Sequence, residues 1–108
     1  MRTIDRGGGG RHFTVSDVQT LTVELLRLHN GAVSTSSCGS PYTACGGGIA
    51  CVSGSNAVLR FQDAWLSGGR AYYGGGILAY GGAHVYLNRT SISGNSATVS
   101  ILVSVFAL

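Results

Sequence analysis

The run Gly-Gly-Gly-Ile stands at Gly46–Ile49 and again at Gly74–Ile77, 28 residues later. A unit of that length is too short to bury a core of its own and must bury it against its neighbours. The same order of apolar residues follows each run. After the first come Ile49 and Cys51, then Leu59 and Phe61, then Ala64 and Leu66. After the second come Ile77 and Ala79, then Val85 and Leu87, then Thr90 and Ile92. An earlier copy, preceded by Gly7–Gly10, holds Phe13 and Val15, Leu21 and Val23, Leu26 and Leu28. In all three the last four positions are separated by two, three and two residues. Only the distance from the first apolar residue of each copy to these four varies: eight residues in the first and last copies, ten in the middle one. Loops absorb such changes and strands do not.

Apolar residues two apart lie on one side of a strand, so each copy predicts three short strands. Residues 21, 25 and 28 have helical spacing, but Thr20-Leu21-Thr22-Val23 favours strand, and so does alignment with the other copies. No Asn-Gly or Asp-Gly hairpin turn joins the strands, which argues against a sandwich of sequential hairpins. Stacking equivalent strands in parallel, about 4.8 Å apart, satisfies the pattern. The expected fold is all-β: a parallel β-helix of about three coils, 11–32, 46–71 and 74–97, with residues 33–45 inserted as a loop. The inward columns would be Phe13, Ile49 and Ile77; Leu21, Leu59 and Val85; Leu28, Leu66 and Ile92. Residues 1–10 read as a flexible Gly- and Arg-rich lead-in. Residues 98–108 alternate like a strand opening a further coil, and the chain reads as part of a longer helix. Exposed coil edges predict end-to-end self-association of the isolated chain.

Composition supports this and excludes alternatives. Of 108 residues, 18 are Gly, 44% are hydrophobic and 10% are charged, which argues against a disordered chain. A single Pro excludes collagen. All seven basic residues are Arg, scattered along the chain for a net +3, unlike the clustered charge of nucleic-acid binders. The apolar C-terminal stretch is far shorter than the roughly 20 residues a membrane helix needs. The N-terminus lacks the apolar core of a signal peptide.

Cys38 and Cys45 bracket a short loop. They are candidates for a disulfide, which would imply an oxidising compartment; two free thiols are the other reading. Cys51 falls on an expected inward position as a small apolar residue. The carboxylates Asp5, Asp17, Glu24 and Asp63 are dispersed. The expected role of Asp63 is a surface contact with Arg89. His12, His29 and His84 occupy different places in their copies, so no metal or cofactor site is expected. Asn88-Arg89-Thr90 is a glycosylation triplet, although Thr90 falls on an inward position.

The outward residues between inward pairs are Thr22, Arg60 and Tyr86 on one face and Arg27, Trp65 and Ser91 on another. Stacking makes Arg27 a neighbour of Trp65, and Arg60 a neighbour of Tyr86. These four form the candidate contact surface for a sugar or a protein. The plainer alternative is a pair of cation–π contacts covering apolar surface.

The Gly-Gly-Ile runs at 47–49 and 75–77 resemble right-handed parallel β-helix proteins of the pectin-lyase-like type. So do the endings Leu66-Ser67-Gly68-Gly69 and Ile92-Ser93-Gly94-Asn95-Ser96-Ala97. Most similar are the Gly-Gly-x-Ile repeats of polymorphic outer-membrane and adhesin-like surface proteins. The resemblance covers roughly residues 11–97. It implies a right-handed helix, an extracellular or cell-surface location, and a structural or adhesive role toward a polysaccharide or a surface protein. It also admits a second function, a piece of a carbohydrate-active lyase or hydrolase whose catalytic residues lie outside this chain.

Overall fold

The computed structural model describes residues 2–36, 38, 45–99 and 105–107. Its strands are β1 (Arg2–Asp5), β2 (Phe13–Val15), β3 (Thr20–Glu24), β4 (Leu26–His29), β5 (Ala50–Ser53), β6 (Val58–Gln62) and β7 (Trp65–Ser67), followed by β8 (Arg70–Tyr73), β9 (Ile77–Tyr80), β10 (His84–Asn88), β11 (Ser91–Ser93), β12 (Ser96–Val99) and β13 (Val105–Ala107). Among the described residues there is no helix, and every strand pairing is parallel. The sheets run β1-β4-β7-β11, β3-β6-β10-β13, β2-β5-β9 and β8-β12. Each pass of the chain thus adds a strand to one sheet after another.

Two of the three expected columns stand in register. Leu21 pairs with Leu59 and Leu59 with Val85. Leu28 pairs with Leu66 and Leu66 with Ile92. Leu28, Leu59, Leu66 and Val85 have no exposed surface. They pack with Phe61, Val15, Val23, Ile49 and Val52 in one apolar core.

The third column departs by one residue. Phe13 faces Ala50, and Ala50 faces Ile77. The amides of Ile49 and Ala50 both donate to the Gly76 carbonyl, at 2.9 and 3.0 Å. The same offset is already set at the bridge between Gly46 and Tyr73, so it holds through the whole Gly run. Ile49 remains in the core, filling space that Gly69 leaves: a methyl on Gly69 would lie 2.9 Å from its Cγ1. The two Gly runs therefore stack one residue out of step, although their letters match. Cys51 moves with the register. It pairs with Thr14 and Leu78 on the side opposite Val15 and Val52, outside the core cluster, yet it is fully buried.

The structure adds strands to those expected. β8 and β12 form a fourth face, extended by an isolated bridge between Ala32 and Arg70. The first ten residues are not simply a flexible lead-in, because β1 pairs along β4 from Arg2 opposite Leu26 to Asp5 opposite His29. Toward the C-terminus, β13 pairs with β10, Val105 opposite Val85.

Corners repeat with the strands. Leu25, Asp63 and Arg89 stand at equivalent places and all adopt left-handed backbone, with φ of 56°, 52° and 46°. One turn later Asn30, Gly68 and Gly94 do the same, at 57°, 69° and 65°. Gly and Asn suit such positions; Leu does not.

Candidate functional site

The candidate surface is built by strand alternation. On β3, β6 and β10 the residues between the inward pairs are Thr22, Arg60 and Tyr86, aligned in register. On β4, β7 and β11 they are Arg27, Trp65 and Ser91. Parallel register sets each arginine one layer from an aromatic ring. The Arg60 Cζ lies over Tyr86, 4.4 Å from the ring centroid, and the Arg27 Cζ lies over Trp65 at 5.5 Å. Trp65 is 44% exposed. All four predicted contact residues are therefore brought together as two stacked pairs, on neighbouring sheets joined by one corner. The stacking also changes what they offer. One face of each ring is taken by a guanidinium, so the surface presents N–H edges as well as aromatic carbon.

The corner between the two pairs is neutralised. Arg89 donates from Nε to Asp63 Oδ1 at 2.6 Å and from Nη2 to Oδ2 at 2.9 Å. This two-pronged bond holds the Asp63 carboxyl below its ordinary value and raises the Arg89 guanidinium. The other carboxylates lie apart. Asp5 accepts from the Gly7 amide at 2.7 Å and from Asn30 Nδ2, and these bonds lower its pKa. Asp17 accepts from the Asn56 amide at 2.8 Å. Glu24 sits on the outer side of β3, two residues beyond Thr22, and is exposed. Among the described residues no three His, Cys, Asp or Glu side chains gather as metal ligands do.

The histidines brace adjacent layers. His12 Nε2 bonds the His29 carbonyl at 2.9 Å, and His29 Nδ1 bonds Ser67 Oγ. Burial pushes the His12 pKa down. Cys38 and Cys45 are joined as a disulfide, and the Cys45 carbonyl accepts from the amides of Tyr72 and Tyr73. The loop tip at 39–44 lies outside the described residues.

Sequence reasoning missed Arg11. Its Nε donates to the Gly47 carbonyl at 2.9 Å, its Nη2 to the Gly46 carbonyl at 2.6 Å, and its Nη1 to Thr14 Oγ1 at 3.0 Å. It ties the first pass to the Gly run of the second, near Cys51, whose thiol burial pushes up. No local pattern announces this, because the carbonyls it bonds are 35 and 36 residues away. A shallow cleft of about 430 Å³ also runs past Gly7, Gly8, Asn30, Gly68, Arg70, Gly94 and Ser96. It follows the corner whose glycines carry no side chains.

Among the described residues no helix is long and apolar enough to cross a membrane. No family model, curated protein or solved structure matches the chain.

Proposed function

We propose that this chain is a segment of a right-handed parallel β-helix with a structural and adhesive role in a secreted or cell-surface protein. Its Arg27–Trp65 and Arg60–Tyr86 pairs meet a polysaccharide or a surface protein. The supporting observation is the coincidence of two registers. The parallel pairing that stacks Leu21, Leu59 and Val85 inside also stacks arginine on aromatic outside. Chain connections between parallel strands of one sheet are right-handed in about 98% of cases, which supports the handedness. The Cys38–Cys45 disulfide supports the location, since such bonds persist in oxidising compartments.

Screening the chain and Trp65→Ala against immobilised polysaccharides and surface extracts tests the reading. The account expects a ligand whose retention falls several-fold in Trp65→Ala. Equal retention of every ligand by both proteins overturns it.

Self-association of the purified 108-residue chain belongs to the same proposal. Ile4 and Ile92, the outer members of the Leu28–Leu66 column, are 42% and 41% exposed. Light scattering reads it directly, and a monomer at high concentration counts against it.

A further inference from the structure

We propose that Arg27 and Arg60 form a two-point site for a sulfated glycan chain, which deepens the adhesive reading and rests on it. A guanidinium lying on a ring loses freedom in advance, so less is lost when its N–H edge engages an oxyanion. Arg27 and Arg60 both have this seat, at 5.5 and 4.4 Å from their ring centroids. Among the described residues the structure gives neither a carboxylate partner, whereas Arg89 is committed to Asp63. The strip therefore offers two positioned cations around a neutral corner. Sulfate esters match this fork with their oxygens, and a neutral sugar would leave both guanidiniums unanswered.

The occupant follows from what the strip lacks. Protein interfaces centre on a buried apolar core, and here Trp65 and Leu25 are the exposed large hydrophobic residues of the outer face and corner, whereas Ile4 and Ile92 lie at the ends of the inward column. Single-stranded nucleic acid needs free aromatic faces for its bases, and these rings carry guanidiniums. A flexible polyanion can cross the corner and needs only the two cations. Glu24 is the opposing charge: it lies diagonal to Arg60, on the outer side of the same sheet.

The test is titration calorimetry of the full chain with a heparin-derived hexasaccharide, at low salt and again at 300 mM salt. Binding at low salt is expected, weakening as salt rises. Arg27→Gln and Arg60→Gln should each weaken it about tenfold, and Glu24→Gln should strengthen it. Arg60→Lys keeps the charge but loses the flat seat, so a several-fold loss is expected; unchanged affinity there overturns the seated-fork account. Equal binding of the desulfated hexasaccharide, of a single-stranded oligonucleotide or of poly-glutamate overturns the assignment to sulfated glycan. Matching circular dichroism spectra show that the variants keep their fold. If a neutral glycan binds through Trp65 and heparin does not, this inference fails and the adhesive reading stands. If nothing binds here or in the screen of polysaccharides and surface extracts, both fail.

Discussion

Leu25 pays a backbone penalty for its place. Its φ is 56° and its side chain is 58% exposed, so little packing offsets the left-handed strain of about 1–2 kcal/mol that a residue with a Cβ carries. Asn30, one corner later, shows which side chain suits such backbone. Leu25→Asn should stabilise the chain by about 1 kcal/mol, read as a higher urea midpoint with unchanged slope; an unchanged or lower midpoint contradicts the strain. Acid sensitivity is also set by single residues. Burial holds the folded His12 pKa below 6.5, so between that value and 6.5 the unfolded chain binds the extra proton. The stability His12 contributes is full above about 6.5 and is lost as pH falls through its folded pKa. Asp5 and Asp63, held below 3.8 by their hydrogen bonds, act lower. Their contribution is present above 3.8 and lost as pH falls through their folded values. The melting temperature should therefore fall in two stages on acidification. His12→Gln, which keeps a donor near the His29 carbonyl, should remove the upper stage alone. An unaltered profile would contradict this assignment.

At the scale of the element, position within a column decides what a side chain contributes. Leu66 lies mid-column with no exposed surface, and Ile92 lies at its rim, 41% exposed. Leu66→Ala should cost about 2–5 kcal/mol and Ile92→Ala clearly less; equal losses in chemical denaturation would contradict the column. These strands were legible in the sequence because each carries two inward residues at fixed spacing, and the outward pairs followed from the same alternation. The sheet β2-β5-β9 was not legible to the residue. Matching Gly46–Ile49 to Gly74–Ile77 by letter gives a step of 28 residues, whereas Ala50 faces Ile77. The offset is already present where Gly46 bridges Tyr73, and it lets the Ile49 side chain reach the core beside Gly69, a position that only the folded stack creates. β8 and β12 were missed for a related reason. Arg-Ala-Tyr-Tyr and Ser-Ala-Thr-Val share a single small residue, buried Ala71 facing half-buried Ala97, too little pattern for a strand. Arg11 lay beyond reach because its partners are acceptors on the backbone, which carry no sequence signature.

At the scale of the whole molecule, the account rests on stacking. Each strand finds its partners in earlier and later passes, so the core, the corners and the Arg–aromatic strip all depend on one set of offsets. Between β6 and β10 the step is 26 residues, Leu59 to Val85. Between β3 and β6 it is 38, because residues 33–45 are inserted. The most direct test is a nuclear Overhauser spectrum of the isotope-labelled chain. Parallel pairing predicts amide-to-Hα contacts linking residues 21, 59 and 85 in one series and 28, 66 and 92 in another. Strong Hα–Hα contacts of antiparallel strands, or cross-strand contacts displaced by a residue from these series, would contradict the account.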